Sequence, residues 1–595
     1  MSWPTVVAFG QAQTPEGFTI DPSLLQGLGA TGGTPTIPWQ SISVELVLFA
    51  AALIALALDA AKHQRKGMSF TILLISITLS VMGILFSTPS NSTLILGGAV
   101  GLLGIVQFVL AMTLSARPRL MVSLITWLGA TIGLAMTINL WINDPKSLSV
   151  IDVTTGSTGS SLLDVNAYLN AMLVVDGISL AARGILCLIL MLIIPMSYEY
   201  LETRQIHRGE YYPLLVLSAL GMTIMASTDN LLMVFVGVEI FSLALYVLTA
   251  FAKRDLNSQE AAIKYFILGS TASAVMLYGM ALLYGLTGTT VISALGQSLA
   301  PLTTPNGALT GAIILTLVGL AFKVGLVPFH FWMPDVYQGA PTPVTAFMAA
   351  GTKVAAFVAF MRLFAVGLAP LQWTWMPIVF LLGCATMVIG AVGAITTKDV
   401  KRILGWSAIT HAGYLTLALL ATDFSGTGAR NGVSGLMIYL FGYGLAVIGA
   451  FGCVSFLERR MMGSPQLADL SGTGRRNAGV GAMLSICLIS LAGIPGTVGF
   501  IAKLSVFMPA FQAGQYWAVG VALTASVIAS VFYLGIIAKI WMGEETAKTA
   551  ELPDMMMAPG TLLGTGMSTM AVLVFGLLPA ILILLGNQAA SVLGG

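Results

Sequence analysis

Five ionisable side chains stand in stretches that offer them mostly apolar neighbours. They are Glu239 in DNLLMVFVGVEIFSLALYVL (229–248), Lys264 in EAAIKYFILGS, Lys323 in VGLAFKVGLVPFHFW, Lys353 in AAGTKVAAF and Lys503 in AGIPGTVGFIAKLSVF. A charge at the centre of a membrane helix costs about 2.5–3.5 kcal/mol on insertion scales. Lysine suits such a place only if something answers its charge, or if its charged and neutral forms are close enough in energy for protons to come and go. One buried lysine is equally compatible with an ion pair that only fixes packing. Four lysines and a glutamate in separate segments point to proton transfer. His411, in SAITHAGYL, is the one histidine expected within a span, and it reads equally as a satisfied hydrogen-bonding residue or as a member of the same relay. His330, just after Pro328, reads as a residue that caps or orients a break. Asp59, Arg362 and Lys539 lie near expected helix ends and should snorkel to the interface. Arg183 should do the same or pair with Asp176.

The elements that must hold these residues are membrane helices. Only 8% of the 595 residues are charged, 57% are hydrophobic, and mean hydropathy is +0.92; soluble domains carry about 25% charged residues. A net charge of +2 argues against nucleic acid as a partner. Cys187, Cys384, Cys453 and Cys487 are isolated and read as apolar packing, with no metal-ligand spacing. Residues 1–40 read as a polar tail rather than a cleavable signal. Taking about 20 apolar residues per crossing, spans are expected near 43–62, 70–88, 95–114, 120–141, 174–198, 211–227, 229–251 and 260–286. A second set is expected near 309–327, 341–367, 376–396, 400–421, 433–456, 477–511, 514–541 and 565–586. That makes about sixteen. Seventeen lysines and arginines fall in the loops after odd-numbered spans, against Lys146 and Arg430 on the other side. The bias puts the odd loops in the cytoplasm and both termini outside. No hydrolytic, haem or flavin signature is present, and GGAVGLLG (97–104) reads as tight helix packing.

Two spans are interrupted by glycine and proline, FKVGLVPF at Pro328 and GIPGTVGFIAK at Pro495. Proline removes a backbone donor and clashes with the preceding turn, so each helix should break there. The interruptions lie five spans apart, and an odd separation makes the two helices cross in opposite directions. Paired breaks in inverted halves are a pointer to a transport site. The fold expected is therefore an all-α polytopic membrane protein with two inverted five-helix repeats, at 211–368 and 372–541. These follow an N-terminal set of four helices and an external loop in 41–171 and a fifth helix with its loop in 172–210. A cytoplasmic loop and last helix in 542–595 follow them.

The segments LLMVFVGVEIFSLALYVL, EAAIKYFILGSTASAVMLYGMALLYG, FKVGLVPFHFWMPDVYQGAPTPVTAF, KRILGWSAITHAGYL and GIPGTVGFIAK resemble the antiporter-like membrane subunits of respiratory complex I. The likeness runs from about residue 172 to 586, and the PDVYQGAPTP form is that of the subunit N branch. The resemblance implies a fourteen-helix core, two fewer than expected here, with the surplus before residue 172. It implies that Glu239 pairs with Lys323, that Lys353 and Lys503 complete a proton path, that Lys264 accompanies the glutamate and that His411 lies on the central axis. It further implies a non-redox, proton-translocating subunit of an NADH:quinone oxidoreductase in a bacterial cytoplasmic membrane. FMN, iron–sulfur clusters and quinone would belong to other subunits, none to this chain. Partners would be subunit M and small subunits of the J and K type, within lipid. The alternatives are a subunit of a multisubunit cation/proton antiporter, and a scaffold whose buried ion pairs only specify packing.

Overall fold

The computed structural model describes residues 42–61, 118–143, 172–300, 307–421, 427–461, 464–544 and 556–590. The expected tail and the spans near 70–88 and 95–114 lie outside them. Helices account for nearly all of what is described: α1 (Ser43–Ala61), α2 (Pro118–Asn143), α3 (Gly177–Thr203), α4 (Tyr211–Ala226), α5 (Leu231–Thr249) and α6 (Leu256–Thr287). They continue with α7 (Ile292–Leu299), α8 (Gly307–Val324), α9 (Trp332–Gly339), α10 (Thr342–Gly367), α11 (Gln372–Thr396) and α12 (Val400–Leu420). Last come α13 (Thr427–Met461), α14 (Ala478–Ala492), α15 (Val498–Gln512), α16 (Tyr516–Met542), α17 (Pro559–Leu577) and α18 (Pro579–Ala590). Eleven helices among the described residues are long and apolar enough to cross a membrane. Two expected spans divide: 477–511 becomes α14 and α15, and the last becomes α17 and α18, parted at Leu578.

Short polar side chains set several helix starts. Asp176 caps α3 and forms a reciprocal box with Ser179. Asn230, Asp255 and Asp399 each accept a backbone N–H at the starts of α5, α6 and α12. Position within the bundle follows from composition. α10 is wholly buried and α12 and α13 nearly so, whereas α6, α11 and α16 present much of their apolar surface outward. α10 is not uniform: π-helical stretches at Met348–Thr352 and Met361–Gly367 flank the α-helical turns that begin at Lys353. α4 and α5 touch backbone to backbone through Gly221 and Gly237; a Cβ on Gly221 would stand 2.5 Å from the Phe241 nitrogen. That contact fixes the helix that carries Glu239.

Both expected breaks are present. α8 ends at Val324, Gly325 takes φ +80°, and helix resumes at Trp332 beyond Pro328. α14 ends at Ala492, Gly493 and Gly496 take φ +83° and +89°, and α15 begins beyond Pro495. The left-handed region suits glycine and ends a helix. Each interruption leaves a carbonyl without an intrahelical donor, and lysines answer both.

Candidate functional site

Lys323, in the last turn of α8, is buried. Its ammonium donates to Ser242 Oγ of α5 at 2.8 Å and lies 5.5–5.9 Å from the ring centres of Phe241, Phe322 and Tyr246. Glu239 stands one helical turn before Ser242 on the same face of α5. Glu239 and Lys323 do not form the direct pair that the resemblance implies. Ser242 receives the ammonium, and among the described residues Glu239 Oε1 is buried with no hydrogen-bond partner. The Ser242 hydroxyl that receives the ammonium gives its own proton to the Val238 carbonyl.

Lys353, fully buried in α10, points its ammonium at the Val324 carbonyl at 3.5 Å, the acceptor exposed by the first break. It also lies 5.9 Å from the Tyr443 ring. The Tyr443 ring lies 4.8 Å from the imidazole of His411, tilted by 38°. His411 Nδ1 is 2.7 Å from the Tyr439 hydroxyl and Nε2 is 3.1 Å from that of Tyr533, which in turn bonds Ser407. A small cavity bordered by His411, Tyr439, Tyr443 and Ser490 lies beside this cluster. Lys503 of α15 closes the row: its ammonium donates to the Ala492 carbonyl at 2.7 Å and to Ser526 Oγ of α16 at 2.6 Å, 5.1 Å from the Tyr414 ring. Tyr414 packs edge-on against His411. The buried groups therefore form two stretches that meet at the first break: Glu239, Ser242 and Lys323 on one side, and Lys353, Tyr443, His411, Tyr414 and Lys503 on the other, with Lys353 reaching the Val324 carbonyl next to Lys323.

Lys264 belongs to neither stretch. Its side chain is 42% exposed and is held by Glu260 at 2.7 Å and Asp335 at 2.8 Å; Asp335 also binds Arg402 at 2.7 Å. The sequence context suggested burial, but an i,i+4 carboxylate and the turn at α9 supply a polar exit. Arg362 does not snorkel: it is buried and paired with Asp176 at 2.6 Å. Arg183, expected to snorkel or to pair with Asp176, instead meets Glu45 at 2.9 Å. Lys539 is exposed, as its place near a helix end suggests. The Asp59 side chain lies outside the described residues. His330 sits within the first break with its ring between Phe331 and Trp406.

Sequence reasoning did not find Ser242, Ser526 or the tyrosines around His411. The i,i+4 spacing of Tyr439 and Tyr443 was the available signal. It also missed Glu458, at the end of α13, which is buried and accepts from Arg204 at 2.8 Å and Tyr200 at 3.2 Å. Among the described residues no three His, Cys, Asp or Glu side chains come together in a metal-binding group, and the four cysteines are unbridged.

A family model described as NADH:quinone oxidoreductase/Mrp antiporter, transmembrane, matches residues 228–529. NADH-quinone oxidoreductase subunit N 2 of Roseiflexus castenholzii is 35% identical over 432 residues, covering 72% of this chain and 86% of the relative. Subunit N of Mycobacterium tuberculosis is 42% identical over 392 residues, covering 64% and 72%. A chain in the structure of respiratory complex I from Thermus thermophilus with bound Aureothin superposes with a TM-score of 0.63 at 30% identity, covering 82% of this chain and 98% of that one. A chain of the Mrp complex from Dietzia shares the fold, with a TM-score of 0.69 at 23% identity over 85% and 97% of the two chains.

Proposed function

Because this chain belongs to the NADH:quinone oxidoreductase/Mrp antiporter family of membrane proteins, in its subunit N branch, we propose that it translocates protons within an NADH:quinone oxidoreductase. The observation that carries this reading is the row of buried ionisable and hydroxyl groups, with lysines at both helix breaks. Redox chemistry, with FMN, iron–sulfur clusters and quinone, belongs to other subunits, and quinone reduction there alters the electrostatics along this row. Glu239 sets the proton affinity of Lys323. Lys323 holds the proton, Lys353 passes it on through the His411 cluster, and Lys503 exchanges with the outside. The complex as a whole is then a translocase to which this chain contributes no redox centre.

The same reading takes residues 211–368 and 372–541 as two five-helix repeats of inverted orientation within a sixteen-helix chain. Matching packing supports it: α4 lies on α5 and α11 on α12, while α6 packs on both halves of the first broken helix, α8 and α9, and α13 on both halves of the second, α14 and α15. The chain sits in a bacterial cytoplasmic membrane with both termini outside, against subunit M and small subunits of the J and K type. In the assembled oxidoreductase, Lys323→Ala and Lys503→Ala should abolish quinone-coupled proton pumping, read as vesicle acidification against quinone reduction. Full pumping in both variants would overturn the relay. Purification without quinone-reducing subunits would instead favour an antiporter.

A further inference from the structure

A second group of charges, separate from the row just described, gathers at one end of the bundle around the α4–α5 turn. Glu45, in the first turn of α1, pairs with Arg183 of α3 at 2.9 Å. Arg362, in the last π-helical turns of α10, pairs with Asp176, the cap of α3, at 2.6 Å. Asp229 leads into α5. All five side chains are buried, none more than 8% exposed. Neutral contacts tie them to one another: Arg183 Nε also donates to Ser227 Oγ at 2.9 Å, and Arg362 Nε to the Ala226 carbonyl at 3.2 Å.

The cluster is uneven. Among the described residues three carboxylates meet two guanidiniums, and each guanidinium has its own carboxylate. Asp229 is left with neutral donors, the Ser293 hydroxyl at 2.6 Å and the Ser293 N–H at 3.1 Å in the first turn of α7. The charged groups that face it are Asp176 from α3 and Arg362 from α10. Burial and Asp176 disfavour a charge on Asp229; Ser293 and Arg362 favour one. A carboxylate in that balance relieves the uncompensated charge by binding a proton.

We infer that Asp229 is a proton-binding site that exchanges protons with the outer side of the membrane. The inference rests on the orientation and the translocation proposed above. The step is a proton transfer alone: an O–H bond forms on Asp229 as one breaks in hydronium, and the reverse on release, with no electron moved. Asp229 lies ten residues before Glu239, just ahead of the helix that carries it. The helix with the relay's carboxylate in its middle thus opens on a second carboxylate that titrates.

The test is infrared difference spectroscopy of the assembled oxidoreductase in membranes, stepped in external pH. The native protein should show a protonated-carboxyl C=O band that is lost in Asp229→Asn. Ser293→Ala keeps the carboxyl and removes a donor to its ionised form, so the midpoint of the band should move to higher pH. A D229N spectrum superimposable on the native one, or an unmoved midpoint in S293A, overturns the inference. Should D229N fail to assemble, S293A decides. The band should persist in Lys323→Ala. Pumping retained in K323A with the band present would refute the translocation reading alone; pumping lost with the band absent from the native protein would refute the Asp229 site alone.

Discussion

Replacing Ser242 by alanine removes the hydrogen-bond acceptor of the Lys323 ammonium and leaves three aromatic rings at 5.5–5.9 Å as its remaining company. Hydrogen bonds to charged groups contribute about 1.5–3 kcal/mol. The protonated form of Lys323 loses that stabilisation and the neutral amine loses less. At about 1.4 kcal/mol per factor of ten, the ratio of protonated to neutral Lys323 at a given pH falls roughly tenfold to a hundredfold. If protonated Lys323 is required, a higher proton concentration must compensate. The pH above which coupled pumping falls away then moves down by about one to two units. The assay is the ratio of protons pumped to quinone reduced, across pH, in vesicles containing the assembled complex. Ser242→Thr keeps the hydroxyl and should restore the native profile. A profile in S242A that superimposes on the native one, or that moves upward, would refute the role given to this hydroxyl.

Two further substitutions separate the row from its surroundings. Lys264→Met should leave pumping close to native and change stability by less than about 1 kcal/mol, because its ion pairs are partly solvated; a loss of pumping as deep as in K323A would return Lys264 to the relay. Arg362→Met leaves Asp176 buried without its counter-charge, at a cost of about 3–5 kcal/mol. Thermal unfolding in detergent should show a large fall in Tm, and adding Asp176→Asn, which keeps a helix-capping side chain, should recover part of it. Equal Tm values for single and double variants would show that the pair is not the coupling unit.

Much of the site was legible because membrane sequences are so uniformly apolar that each charge stands out. Lys323, Lys353 and Lys503 declared themselves in this way, and the breaks at Pro328 and Pro495 followed from backbone chemistry alone. Partners were another matter. Ser242 is an ordinary membrane-helix serine until α8 is laid across it, and Arg183 finds Glu45 in a segment 138 residues earlier. Nothing local encodes such a pairing. Lys264 misled for the opposite reason: its neighbours in sequence are apolar, but its ammonium is answered by Glu260 a turn away and by Asp335 from α9. The π-helical turns around Lys353 left no mark in composition, since α- and π-turns draw on the same residues.

The contact between Lys503 and the Ala492 carbonyl joins an electrical event to a mechanical one. The carbonyl end of a helix carries a fractional negative charge and unsatisfied acceptors, and here the ammonium of the following helix closes it at 2.7 Å. The tie spans a joint built from Gly493 and Gly496. In the relay proposed above, a proton leaving Lys503 would take the charge of that tie with it, and the joint would lose its brace. The two half-helices would then be held together most firmly while the lysine carries its proton.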